Sequence, residues 1–212
     1  MINSDNVDEI ILRLNKQYPQ AEIALDFSSP LELLIATILS AQCTDAVVNR
    51  VTSALFKKYK TIEDYVSADI FEFEQDIKPT GFYRNKAKNI IASAKIILEQ
   101  YNGNVPSKME ELVNLPGVAR KTANIVLYNA FGIRDGIAVD THVRRLSQRL
   151  GLTQNNDPVK IEKDLMQMVP REIWGSFSYL LIEHGRAVCI ARKPKCGLCV
   201  LSDLCPYFAS IQ

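Results

Sequence analysis

The chain has 212 residues, 47% hydrophobic and 23% charged, enough to bury one sizeable core or two smaller ones and too apolar for a disordered or fibrous protein. Its formal net charge of +1 provides no global field for a polyanion, so any nucleic-acid interface must be built from local basic clusters. The Met1–Asp8 start carries acidic and amide residues where a secretory signal needs cations and an apolar stretch. No apolar run approaches the roughly 20 residues that cross a bilayer, so the sequence predicts a soluble, cytoplasmic protein without a membrane partner. In that setting the five cysteines read as thiols or metal ligands before disulfides.

Apolar spacing is helical along nearly the whole chain, without convincing strand alternation, repeats or low-complexity tracts, which predicts an all-α fold. Val7, Ile10, Ile11 and Leu14 form the first stripe. Ser29-Pro30-Leu31-Glu32 marks a helix start, with Ser29 as cap, Pro30 at the first position and Glu32 completing a capping box. From there to Ala41 the segment is apolar on almost every side, which predicts a core helix, with Gln42 at its end and Cys43 as a small core residue. Thr61 with Asp64 reads as a second, weaker capping box. Past Pro79-Thr80-Gly81, the residues Ala87, Ile90, Ile91, Ala94, Ile97 and Leu98 form another stripe. Leu115-Pro116-Gly117-Val118-Ala119 is a tight turn leading into a helix whose apolar face includes Ala123, Val126 and Leu127. Asp140 stands as N-cap before the helix of Val143, Leu146 and Leu150.

The carboxyl-terminal cysteines Cys189, Cys196, Cys199 and Cys205 read C-x6-C-x2-C-x5-C, tight enough for four sulfurs to surround one inorganic centre. Spacing leaves zinc and iron–sulfur equally open. Between the first two lies a loop with Arg192, Lys193 and Lys195, which reads either as a phosphate grip or as a solvated surface loop. His142 and His184, the only histidines, lack metal-ligand spacing and read as structural.

Four stretches together carry a wider resemblance: Leu39-Ser40-Ala41-Gln42-Cys43-Thr44-Asp45, the Leu115–Ala123 hairpin, Val139-Asp140-Thr141-His142-Val143-Arg144-Arg145, and the four-cysteine run. In this order, and over almost the whole chain, they resemble the endonuclease III family of helix-hairpin-helix DNA glycosylases. The resemblance implies a two-subdomain fold, with a helical barrel over residues 22–134 and a discontinuous domain of residues 1–21 plus 135–212 that carries a [4Fe-4S] cluster on the four cysteines. It implies a monomer, associated with the nucleoid, acting on double-stranded DNA with damaged bases or abasic sites. The implied activity is release of oxidised pyrimidines with strand cleavage by β-elimination. Lys121 would be the nucleophile, forming a Schiff base at C1′ that acidifies the 2′ hydrogen. A lysine is almost wholly protonated at neutral pH, and the opening turn of a helix beside Arg120 supplies the positive potential that favours a free amine. Asp140 would stabilise developing sugar charge and assist proton transfer.

The hairpin residues Gly117, Val118, Ala119 and Arg120 would bind a DNA phosphate through backbone N–H groups and the helix end. Gln42 would enter the space of the extruded base. Phe82, where the family usually has leucine, would be an apolar wedge, against the alternative of ordinary core packing. Ala119 stands where glycine is common, and the expectation is that this position is already helical. Arg84, Lys86, Lys88, Arg144, Arg145 and Arg149 are further candidates for phosphate contact against the default of solvated helix faces. A monofunctional relative such as the adenine-mismatch glycosylase lacks the lysine, and a purely DNA-binding module would need neither Lys121 nor Asp140. An electron-transfer role would require the cluster to cycle during turnover.

Overall fold

The structure, a computed structural model, describes residues 4–211, with side chains from Asn6 onward. The start, Met1–Asn3, lies outside the described residues. Every regular element among the described residues is helical, and none of their helices is long and apolar enough to cross a membrane. The chain divides into two compact units, one of residues 24–133 and the other of the residues through 23 together with those from 134 onward.

The first unit is built around α2 (Pro30–Leu39), whose residues Leu33 to Leu39 are all buried. Around it stand α3 (Asp45–Lys58), α6 (Tyr83–Tyr101) and α8 (Arg120–Phe131), each packed on α2. The shorter α4 (Ile62–Val66) and α5 (Ile70–Ile77) pack on α6. Burying a leucine or isoleucine side chain contributes about 1.5–3 kcal/mol, so α2 is chiefly a core strut. Ser29 caps it as expected, accepting from the Glu32 amide at 3.2 Å. The reciprocal half of that capping box does not form at Ser29. The Glu32 carboxylate instead takes both the amide and the hydroxyl of Ser28, at 2.6 and 2.7 Å, because one oxygen there gains two donors. The box read as the weaker one, Thr61 with Asp64, is complete in both directions. The backbone amides of Thr61 and Lys60 hold the Asp64 carboxyl below its ordinary range.

The second unit joins α1 (Ser4–Gln17) to α9 (Thr141–Arg149), α10 (Pro158–Met168), α11 (Trp174–Ala187) and α12 (Pro206–Ser210). The α1 stripe of Val7, Ile10, Ile11 and Leu14 is buried, and the helix packs on α11. With Val143, Leu146, Phe177 and Leu181 it forms one core, against which Cys189, Cys199 and Cys205 also pack.

Candidate active site and cluster site

In the first unit, α7 (Met109–Leu112) and α8 are joined by the tight turn. The Leu115 amide bonds the Leu112 carbonyl at 3.0 Å and the Val118 amide bonds that of Leu115 at 3.1 Å. The side chains of Leu115 and Val118 are buried. Val118 thus closes the turn with both its side chain and its N–H, while Gly117 and Ala119 are exposed. Gly117 sits at φ +80°, and a Cβ there would lie 2.9 Å from Asn89 Nδ2 and 3.1 Å from Asn89 Cβ. Only glycine satisfies both restrictions. The Ser93 hydroxyl donates to the Pro116 carbonyl at 2.9 Å, so α6 seats the turn from below.

Ala119 is not helical, contrary to expectation: at φ −93° and ψ 170° it is the extended N-cap of α8. An N-cap takes the β region by construction, and because φ is negative an alanine fits without strain. Alanine offers no acceptor, so the N-cap residue adds no side-chain hydrogen bond at the positive end of α8. Lys121 is the second residue of that helix and is exposed.

Among the described residues, four without a glycine's freedom adopt positive φ: Gln42 (54°), Phe82 (47°), Asn102 (50°) and Lys193 (56°). Asn102 is a helix C-cap. The other three were singled out from sequence for DNA contact, and backbone strain of this kind persists where the surroundings enforce it and gathers at functional sites. Gln42 lies in the turn after α2, not on the helix, and is exposed. Phe82 follows Gly81 and is 65% exposed, which excludes ordinary core packing. Cys43 is only half-buried, in the same turn as Gln42, and is not the core residue expected.

Three of the six extra cations point inward. Lys86 is 5% exposed, and its ammonium donates to the carbonyls of Leu39 and Thr80, both at 2.8 Å. Arg145 and Arg149 fasten the cysteine loop. Arg145 bonds the carbonyls of Cys189 and Gly185, each at 3.0 Å. Arg149 bonds the Cys189 sulfur at 3.3 Å and the carbonyls of Ile190 and Ala191 at 2.9 and 3.0 Å. Carbonyls that secondary structure leaves unpaired hold these cations more firmly than water would. Arg84, Lys88 and Arg144 are exposed.

In the second unit, Asp140 caps α9 by accepting from the Val143 amide at 2.8 Å. His142 follows, and burial is the main cause that depresses its pKa. Its Nδ1 lies 3.1 Å from Arg145 Nη2. A Cβ on Gly185 would lie 2.8 Å from that nitrogen, so glycine lets α11 approach α9.

Cys189, Cys196, Cys199 and Cys205 are unpaired and line one pocket. No group of three or more His, Cys, Asp and Glu side chains among the described residues is arranged to hold a metal ion. Four thiols lining one pocket are a donor set that either a tetrahedral zinc or an iron–sulfur centre accepts. Burial raises Cys205 and pushes the Cys199 thiol up to about 11, so thiolates there need cationic compensation, which iron supplies. The donors are in place: His184 Nε2 and the Leu201 amide stand 3.3 and 3.4 Å from Cys199 Sγ, beside the Arg149 contact to Cys189. Tyr18 Oη is 3.1 Å from His184 Nδ1, an arrangement in which a neutral His184 accepts from tyrosine and donates to sulfur. The residues fit an iron–sulfur cluster. Sequence reading missed Lys86, Asn89 and the inward turn of Arg145 and Arg149. For Lys86 a signal existed: it falls on the apolar stripe, four residues before Ile90.

The chain matches the HhH-GPD superfamily of base excision DNA repair proteins over residues 35–171, and Cys189 to Cys205 bound a match to the iron-sulfur binding domain of endonuclease III. It is 58% identical to endonuclease III of Synechocystis sp. over 198 residues, 93% of this chain and 90% of that one. It is 50% identical to the Bacillus subtilis endonuclease III, covering 97% and 94%. A trapped covalent intermediate of an endonuclease III with DNA superposes with a TM-score of 0.95 at 44% identity, covering 100% of this chain and 99% of the other. The chain belongs to the endonuclease III family, bifunctional DNA glycosylases and AP lyases of base-excision repair, and carries a [4Fe-4S] cluster.

Proposed function

We propose that the chain removes oxidised pyrimidines from duplex DNA and cuts the strand on the 3′ side of the resulting site, with Lys121 as nucleophile. It would act inside the cell as a monomer, on double-stranded DNA that holds a damaged base or an abasic site. The observation that carries this reading is an exposed lysine at the second position of a helix whose N-cap is an alanine, directly after the tight turn at Leu115–Ala119. The Lys121 amine attacks C1′ and the glycosidic bond breaks, the base leaving with the bonding pair and a proton. The sugar ring opens to an iminium, the C2′ proton is removed, and the C3′–O bond breaks to expel the phosphate. Water then frees Lys121. Asp140 holds the developing positive charge at the sugar and shuttles the proton at the amine. The trapped intermediate of a 44% identical protein supports the covalent route.

Gly117, Ala119 and Arg120 anchor a phosphate at the α8 end while Val118 holds the turn closed behind them, Arg192, Lys193 and Lys195 grip another stretch of backbone, and Gln42 and Phe82 fill the duplex where the base has left. Cys189, Cys196, Cys199 and Cys205 hold the cluster. When bound, it crosslinks the loop that carries those three cations, a structural chemistry. The test is borohydride reduction with a duplex carrying one thymine glycol. A covalent protein–DNA band is expected from the wild type and not from Lys121→Ala; base release without a band would mean a monofunctional glycosylase.

A further inference from the structure

A helix leaves its last carbonyls without intrahelical partners, and at the end of α2 those partners come from four different sources. The Thr37 carbonyl takes the Ser40 hydroxyl at 2.8 Å and that of Ile38 the Ala41 amide at 3.4 Å. The Ser40 carbonyl takes the Cys43 amide at 3.1 Å. The Leu39 carbonyl takes the ammonium of Lys86, 47 residues away in sequence. The same ammonium bonds the carbonyl of Thr80, the residue before Gly81 and Phe82. Thr80 is itself buried, with its hydroxyl on Ile77. One nitrogen therefore stands under two turns that each hold a residue at positive φ, Gln42 in one and Phe82 in the other.

A lysine buried on an apolar helix face is unfavourable unless each donor is used, and a leucine or methionine would pack the site more cheaply. The charge is placed at the negative end of α2, where the helix dipole favours a cation. Burial pushes the Lys86 pKa down from its ordinary value, so desolvation of the charge is a standing cost. Neither carbonyl can be satisfied by water without opening the core beneath the turns. Both turns are thus fastened to the same point on α6.

We propose that Lys86 is a positioning residue, whose single ammonium fixes the two turns as one rigid pair so that Gln42 and Phe82 enter the duplex together. This rests on the reading of those two side chains given above. It differs from a phosphate contact, which would put the ammonium in solvent, and from a purely structural lysine, whose loss would loosen the unit evenly.

The test uses the full-length, cluster-loaded protein and Lys86→Met, which keeps an unbranched apolar stem one atom shorter and removes the donors. Hydrogen exchange is expected to quicken in both segments 40–44 and 80–83 while the hairpin at 113–119 is unchanged; quickening in one segment alone, or throughout the unit, would overturn the proposal. With a lesion duplex, kcat is expected to fall about 100-fold, the loss that a misplacement near 1 Å can cause, while affinity for undamaged duplex stays the same. Adding Gln42→Ala or Phe82→Ala to Lys86→Met should then cost less than either does alone in the wild type. Losses that simply multiply would refute the shared positioning. If Gln42→Ala and Phe82→Ala are each silent while exchange quickens in both segments, the proposed role of those side chains falls and the coupling stands. Should Lys86→Met lose native helix content, Lys86→Gln, which retains a shorter donor, takes its place in every comparison.

Discussion

Asp140 holds two roles that one substitution can separate. Its carboxylate caps α9 through the Val143 amide, and it is the proposed electrostatic partner of Lys121. Asparagine caps a helix as well as aspartate does, whereas alanine loses about 1 kcal/mol. Asp140→Asn is therefore expected to melt within a degree or so of the wild type, the shift that a few tenths of a kcal/mol produce, yet to lose most base-release and trapping activity. Asp140→Ala should lose both activity and stability, and thermal melting beside single-turnover base release checks the pair. If Asp140→Asn kept full activity, capping would be the whole of its role. The cysteine set was legible in its spacing, whereas Lys121 and Asp140 were singled out only through the resemblance to the family. Lys86 showed only as a lysine on an apolar stripe, since the Leu39 carbonyl that holds it lies 47 residues away.

At the scale of elements, α9 connects the Asp140 cap to the cysteine loop. Its inward-turned residues Arg145 and Arg149 bind that loop, and His142 lies against Gly185 of α11. Burial lowers the His142 pKa from its ordinary 6.5, with Arg145 and Arg186 acting in the same direction and Asp140 opposing them. The folded state therefore resists a proton that the unfolded chain accepts. This histidine's contribution to stability is complete above about pH 6.5 and is lost progressively as the pH falls below it. Since an arginine can only donate, His142 Nδ1 must accept from Arg145, and asparagine can imitate that nitrogen. His142→Asn is expected to lose less stability than the wild type between pH 7 and pH 5, measured by denaturant unfolding. An equal loss in both proteins would remove His142 as a source of the acid sensitivity. The helices themselves were readable from apolar period and caps, whereas the Glu32 carboxylate chose Ser28 over Ser29 through local geometry that no pattern encodes.

At the scale of the whole molecule, the two units rest on different cores. The first is closed around α2, whose residues Leu33 to Leu39 are buried beneath α3, α6 and α8. The second has three cysteines packed against its hydrophobic core, and a cluster held by them is proposed to tie the 189–205 segment to it. Removing the cluster by oxidation and chelation should raise hydrogen exchange in residues 189–205, α9 and α11, and leave α2 and α8 protected. Unchanged protection in the second unit would mean that the cluster is not structural. Loss of protection in α2 as well would mean that the units do not stand separately.

The sequence by itself determined the all-helical class, the positions of the main helices, the hairpin and the cysteine set. These are local properties: they follow from period, capping and residue type within a few turns of chain. Tertiary structure alone decided which cations face solvent and which are spent on carbonyls, that Phe82 stands exposed and Cys43 outside the core, and that His184 donates toward a cluster sulfur. Such outcomes depend on unpaired backbone groups brought together from distant segments, as Lys86 is with Leu39, and the cost of leaving a buried carbonyl unsatisfied is set by the packed fold around it.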